Sequence, residues 1–178
     1  MTPRIASLMA EYNRWMNERM YDAAATLDAA ALVADKGAFF GSILGTLNHI
    51  AAADTIWMHR FAQHEAGFSS LGALSSFPQP SSLTQSLGPD LAGLRRYRRE
   101  LDALIESWVA ELTPEHLSAN ITYANMAGVK SSRNFGALLQ HFFNHQTHHR
   151  GQASTLLFQA GVDVGVTDLL AVIPRSDA

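Results

Sequence analysis

The stretch HFFNHQTHHRGQ, residues 141–152, decides how the rest of the chain is interpreted. It holds four of the eight histidines of a 178-residue chain within twelve positions. Apolar residues recur every three or four positions through and around it, a pattern that indicates an amphipathic helix. Three explanations compete for the histidines: a metal site, a catalytic base, or a solvated polar face that is rich in imidazole.

Four long segments with helical periodicity extend outward from this stretch. The helix that contains it is predicted from about Ser132 to Ala160, and Gly161 ends it. The other three are predicted at about Pro3 to Leu27, Ala38 to Ala62 and Pro89 to Leu112. The predicted fold class is therefore all-α, a four-helix bundle with long crossover connections, formed by one domain over residues 1–178.

Shorter elements are predicted between the long helices. Residues 67–89 are rich in Ser, Gly and Pro, which indicates a long connection. Thr113 as N-cap and Pro114 at the first helical position predict a short extra helical turn. The β-branched residues of 119–134 surround a glycine and predict a small hairpin or an extended loop. Residues 162–178 are expected to be mostly extended, with a polar tail.

Composition excludes several classes of function. The net charge of −3 gives no electrostatic reason to expect a nucleic-acid partner. The basic run RRYRRE, residues 95–100, is predicted to be a solvated helix face on which Arg98 meets Asp102 at i,i+4. The chain has no cysteine, which excludes disulfides, iron–sulfur clusters and a cysteine nucleophile. A cytoplasmic protein without a membrane segment is expected, because no signal-peptide pattern or long apolar run is present.

A helical wheel separates the histidines of residues 141–152. His145 and His149 fall at the edge of the apolar arc, whereas His141 and His148 lie further towards the polar side. Two imidazoles at i and i+4 on one helix can bind the same metal ion. The second long helix offers His49, beside its own apolar arc, as a third ligand. Core-edge or surface histidines are the alternative at this stage.

Other residues of the second long helix are given different roles. His59 and His64 are predicted to lie at the surface. Asp54 falls in the middle of the apolar arc, where an unpaired charge is unfavourable. It is predicted to pair with polar groups of the first helix such as Asn13 or Arg14. The alternative is that it orients a ligand histidine as a hydrogen-bond acceptor.

The sequence also excludes some familiar sites. A zinc protease has an H-E-x-x-H motif, whereas Gln146 stands where the general-base Glu would be. The E-x-x-H pairs of ferritin-like di-iron bundles are absent. The sequence also lacks a G-x-S-x-G nucleophile elbow and a phosphate-binding glycine loop. A haem held by two histidines is a further alternative, which leaves the third histidine without a role.

The segments LNHIAAADTIWMHRF (47–61) and HFFNHQTHHRGQ (141–152) together resemble the DinB/YfiT-like superfamily of proposed metalloenzymes. (This damage-inducible DinB family is unrelated to the DNA polymerase that shares its name.) Further matches run along nearly the whole chain. They are YNRWMNERMY (12–21), GAFFGSILGTLNH (37–49), TYANMAG (122–128) and DLL (168–170).

The resemblance implies a homodimeric four-helix bundle with one divalent ion per chain. The implied ligands are His49, His145 and His149, and the ion could be zinc, nickel, iron, cobalt or manganese. Four other residues match motif positions and are expected to support or pack rather than to bind metal: Asn144, His148, Arg150 and Gln152. Catalytic residues are not assigned.

The function implied is a divalent-metal-dependent enzyme. Its ion would activate an external low-molecular-weight thiol, as in S-transferases that use bacillithiol, mycothiol or glutathione, or would activate water. The alternative is a non-catalytic dimeric bundle, either a metal-binding stress-response protein or a module that binds a small ligand. A small-molecule substrate is expected, with no nucleic-acid or membrane partner.

Overall fold

Helices dominate the computed structural model, which describes residues 1–175. They are α1 (Pro3–Ala24), α2 (Ala29–Val33), α3 (Ile43–Phe61), α4 (Leu91–Val109), α5 (Pro114–Ser118) and α6 (Phe135–Gln159). Of the four long ones, α1 packs against α4 and α6, and α3 packs against α6 and α4. The predicted all-α four-helix bundle is confirmed, while residues 176–178 of the predicted tail lie outside the described residues. No helix within 1–175 is long and apolar enough to cross a membrane.

Each long helix begins after a polar residue whose side-chain oxygen accepts a backbone N–H three residues later. These N-caps are Thr2, Ser42, Asp90 and Asn134. Two starts differ from the prediction. The second long helix begins at Ile43 rather than Ala38, because the preceding residues form a turn in which Gly41 has a φ of 74°. Residues 132–134 belong to a strand rather than to α6.

Short ordered elements occupy the connections. The predicted hairpin is confirmed, since β1 (Asn120–Ala124) pairs antiparallel with β2 (Lys130–Asn134). The predicted cap of α5 at Thr113 is also confirmed, and His116 completes it by accepting the backbone N–H of Thr113. The sequence pattern does not predict α2, or the 3₁₀ helices Ser69–Ser76 and Leu169–Val172, because such short runs carry little periodicity.

The apolar core consists of two clusters. One draws on the start of α1 and the end of α3, where the rings of Phe61 and Trp108 stack with centroids 5.1 Å apart. The other draws on the end of α1 and the start of α3, and includes Met16, Met20 and Leu47. A layer of charged and amide side chains in the interior lies roughly between these clusters.

This polar layer contains charged and amide side chains from all four long helices. Its members are Asn13, Asn17, Asp54, Arg98, Asp102, Gln146 and Arg150. Arg98 donates to Asp54 at 2.6 Å and forms an ion pair with Asp102 at 2.9 Å. Burial raises the pKa of the Asp54 carboxyl, and the charge of the nearby Arg98 opposes that rise. Two arginines and two aspartates leave the layer without net charge.

The layer corrects two predictions. Arg98 is not on a solvated face, since only 2% of its surface is exposed. The i,i+4 spacing correctly identifies Asp102 as its partner but does not show that the pair is buried. Asp54 has the predicted structural role with different partners, because Arg98 and Gln146 donate to it. Arg14 pairs instead with Glu106 near the surface.

A surface ion pair beside the layer predicts a pH effect. Hydrogen bonds from Arg99 and Arg95 lower the pKa of Glu18 from 4.5 to about 2. Glu18→Gln should destabilise the protein by about 1 kcal/mol or less at pH 7, because solvent screens such pairs. The difference in the free energy of unfolding between the two proteins should be fully present above pH 4.5. It should shrink as the pH falls towards 2, because Glu18 takes up its proton at a higher pH in the unfolded chain than in the folded one.

Urea unfolding of both proteins across this pH range measures the difference. If the gap between them does not change between pH 4.5 and 2, the two arginines do not hold the carboxylate.

Candidate metal centre

Three histidines meet where α3 packs against α6. His49 lies on α3, and His145 and His149 lie one turn apart on α6. One ring nitrogen of each lies within 4.8 Å of a ring nitrogen of the other two. The structure therefore brings together the three residues that the sequence predicts as ligands. Their binding of a metal stays a prediction.

Hydrogen bonds determine which nitrogen is free in two of these rings. Nδ1 of His49 lies 3.2 Å from the backbone oxygen of Leu83, and Nδ1 of His149 lies 2.8 Å from Oε1 of Gln152. Both oxygens can only accept, so each Nδ1 carries the hydrogen and each Nε2 presents a lone pair. The two Nε2 atoms are 3.3 Å apart. Neither has a hydrogen to donate to the other.

A divalent ion fits this arrangement of nitrogens. Zn–N bonds of about 2.0–2.1 Å in tetrahedral geometry place two ligand nitrogens about 3.3 Å apart. The same separation is found between Nε2 of His49 and Nε2 of His149. His145 adds a buried Nδ1 atom that has no hydrogen-bond partner. The donor set is thus three imidazoles with unshared lone pairs.

Burial favours the neutral form of all three imidazoles. It lowers the pKa of His49 to about 4 and that of His145 to about 3, and it also lowers the pKa of His149. The neighbouring histidines lower the pKa of His145 further, because two positive rings repel each other. Metal ligation requires the neutral ring, so the site is in the binding form at neutral pH.

An aromatic side chain covers the histidines. Phe40, in the loop before α3, stacks on His49 with centroids 3.6 Å apart and planes inclined by 15°. It also meets His149 at an angle of 68°, with centroids 5.5 Å apart. The sequence pattern does not identify Phe40, because it places this residue in the second long helix rather than in the turn before α3. It also misses Leu83, which contacts His49 through its backbone.

A known protein family matches this chain. A sequence model described as the DinB family matches residues 1–175, nearly the whole chain. The chain belongs to the DinB family. Searches of curated proteins and of solved structures found no further match.

The remaining motif residues of this DinB-family chain have distinct surroundings. Asn144 and His148 are exposed, whereas Arg150 is buried in the polar layer and donates to Asn13. Gln152 holds His149 through Oε1, and its Nε2 lies 3.3 Å from Nε2 of His148. Gln152 therefore orients a candidate ligand, and Arg150 packs in the core.

The two histidines predicted to lie at the surface, His59 and His64, are apart from the group. His64 is buried against Phe135 and His116, so the prediction that it lies at the surface is wrong. The reason is that α5 and the start of α6 pack over the residues that follow α3. His59 is half-buried, with Nε2 2.7 Å from the backbone oxygen of Phe77.

Gln152→Leu should weaken metal binding by about 10–100-fold, the usual effect of removing a partner of a ligand histidine. The leucine cannot accept from Nδ1 of His149, so that ring loses its fixed tautomer and orientation. Competition with a chromogenic chelator measures the affinity. Gln159→Leu on the same helix is the matched control and should bind metal normally, whereas equal affinities of the two variants would contradict the role of Gln152.

Two cavities of this DinB-family chain are lined by neighbours of the candidate ligands on α6, although not by the three histidines themselves. The first, the tryptophan cavity, has a volume of about 590 Å³ and is lined by Trp57, Tyr123, Arg133 and His141, among others. The second, the lysine cavity, has a volume of about 480 Å³, and its lining includes Lys36. Along α6, the lining of the tryptophan cavity ends at His141, before the ligand pair, whereas the lining of the lysine cavity begins at His148, next to His149, and continues to Gln159.

Proposed function

We propose that this DinB-family protein is a divalent-metal-dependent enzyme that transfers a low-molecular-weight thiol to a small electrophile. The observation that carries the proposal is the convergence of three neutral imidazoles, with their neighbours His141 and His148 on α6 each lining a cavity. Three protein ligands leave a coordination position open, as catalytic sites do. A divalent ion bound there lowers the pKa of a thiol or water at the open position and so supplies a nucleophile near neutral pH.

The chain's own residues orient the ligands and limit access to them. The backbone oxygen of Leu83 and the amide of Gln152 hold the rings of His49 and His149. Phe40 covers one face of His49 and excludes water from that side. Fixed ligands in a partly dry setting strengthen any electrostatic effect on a bound nucleophile.

The positions of the tryptophan and lysine cavities, near opposite ends of the His145–His149 pair, support transfer to an organic acceptor over hydrolysis. A hydrolase binds one organic substrate beside its water, whereas a transferase must hold two organic molecules at once. The lysine cavity suits the thiol cofactor, because Lys36 lines it and Asp and Glu do not. Glutathione and bacillithiol both carry carboxylates that a lysine attracts. The tryptophan cavity is then left for the acceptor.

The test is consumption of a thiol by metal-loaded protein. Chelator-treated protein would be reloaded with zinc, nickel, iron, cobalt or manganese and assayed with bacillithiol, mycothiol, glutathione and coenzyme A. Monobromobimane and 1-chloro-2,4-dinitrobenzene would serve as electrophiles. We expect metal-dependent turnover with at least one thiol, and its loss in the His49→Ala variant. His59→Ala, on the same helix but away from the group, should keep the activity.

Two results would contradict the proposal. Metal-dependent hydrolysis of an ester or amide without thiol would favour activated water. Metal binding without any turnover would favour the non-catalytic bundle.

Imidazole ligands suit zinc, iron and nickel better than manganese, which prefers oxygen. Elemental analysis of the protein from its native host would identify the ion.

The homodimer stays a prediction. Large apolar residues of the long helices such as Met16, Met20 and Phe61 are buried within one chain and so do not form a dimer surface. Large apolar residues that do remain exposed include Phe158 and Leu170. Light scattering at micromolar concentration would determine the oligomeric state, and a monomer mass would refute the dimer.

A further inference from the structure

The tryptophan cavity combines aromatic walls with unpaired positive charge. Trp57 of α3 lies 5.4 Å from Tyr123 of β1 and 5.2 Å from His141 of α6, measured between ring centroids. The guanidinium of Arg60 lies over both Trp57 and Tyr123, at 4.6 and 5.3 Å from their ring centroids. These contacts keep the flat side chains in place at one wall.

Arg133 is directed to this cavity by the register of the hairpin. In β2 it pairs with Ile121 of β1, and directly opposed residues of an antiparallel pair share a face. That face also carries Tyr123 and is turned towards the bundle, because Ile121 is buried there. Arg133 thus lines the cavity together with Tyr123.

The positive charge of the cavity has no carboxylate to balance it. Within residues 1–175, neither Arg60 nor Arg133 has an acidic side chain within ion-pair distance, and no Asp or Glu lines the cavity. Residues 116–162, which form the hairpin and α6, contain no acidic residue, although the whole chain has 16. The cavity is therefore cationic in a protein whose net charge is −3.

We infer that the tryptophan cavity binds a planar organic anion, with its flat part against the half-buried Tyr123 and the small exposed part of Trp57, and with its carboxylate at the exposed Arg133. The volume of about 590 Å³ admits an aromatic or conjugated acid of ordinary size. Stacking on aromatic rings selects for flat ligands, and a planar guanidinium binds a carboxylate in bidentate fashion.

The cavity lies next to the candidate ligands. His141 contributes to its wall, and its ring centroid is 6.0 Å from that of His145. The planar anion is thereby placed as the acceptor in the proposed transfer. That role rests on the proposed function, whereas binding of the anion does not.

Isothermal titration of the full-length, metal-loaded protein with 2-naphthoate and with its neutral analogue 2-naphthamide tests the inference. We expect naphthoate to bind about tenfold more tightly, the effect of one charge-assisted contact. Arg133→Gln should abolish this preference. Arg4→Gln removes one positive charge from an exposed site on α1, and this variant should retain the preference for naphthoate. Amide NMR shifts should locate the naphthoate at the hairpin.

Equal affinities for the two probes, or a preference that survives in Arg133→Gln, would overturn the inference. The His49→Ala variant separates the cavity from the metal as the source of carboxylate binding. If His49→Ala still prefers naphthoate over naphthamide, the cavity is supported as the binding site. If His49→Ala loses this preference while Arg133→Gln keeps it, the probe binds the metal and the inference is overturned. An Arg133-dependent preference in protein that turns over no thiol would leave the inference standing while the proposed function fails.

Discussion

A chain that carries both His145→Ala and His149→Ala should retain less than about one-tenth of the metal bound by the unmodified protein. The double substitution leaves His49 as the sole member of the group. One imidazole cannot hold a divalent ion against a chelator, because affinity depends on several ligands acting together. Elemental analysis after dialysis measures the loss, and circular dichroism should show an unchanged helical content.

His148→Ala is the matched control for this variant. His148 is exposed and directly precedes His149 on the same helix, yet it lies outside the group. It should keep about one metal ion per chain. Full occupancy in the double variant would mean that the ion binds elsewhere, and the assignment of the three histidines would have to be abandoned.

Replacing Arg98 with leucine should lower the free energy of unfolding by about 3–5 kcal/mol, the usual cost of breaking a buried ion pair from one side. Arg98 pairs with Asp54 at 2.6 Å and with Asp102 at 2.9 Å. Without it, two buried carboxylates face each other with only amide and Arg150 contacts for compensation. Urea unfolding at neutral pH measures the change.

Arg99→Leu provides the comparison on the same helix. Arg99 forms an ion pair with Glu18 at the surface, where solvent screens the charges. Its loss should shift the urea midpoint far less than the loss of Arg98. Similar midpoints for the two variants would show that the polar layer does not stabilise the bundle.

The sequence predicts the features that depend on spacing. The period of apolar residues gives the four long helices, and the i,i+4 spacing places His145 and His149 on one face of α6. His49 follows from its position beside the apolar arc of α3. Turn and cap chemistry likewise predicts the hairpin around Gly128 and the cap at Thr113.

Features that depend on contact between distant segments cannot be predicted in this way. Nothing in the periodicity shows that Phe40 folds back over His49, or that the carbonyl of Leu83 meets its Nδ1. The pair of Arg98 and Asp102 has the spacing of a surface ion pair, and only the packing of α4 against its neighbours buries it. His64 is buried for a similar reason, because α5 and α6 close over it.

The polar layer also bears on how the bundle assembles. Its side chains have all of their hydrogen-bond partners only when α1, α3, α4 and α6 are all in place, since each helix contributes a partner to at least one other. A partly docked bundle would keep charged groups inside without their partners, a costly intermediate. The layer therefore favours all-or-none folding, in which α3 and α6 come apart only when the whole bundle opens. The histidines on those two helices are then brought together or separated in a single cooperative step.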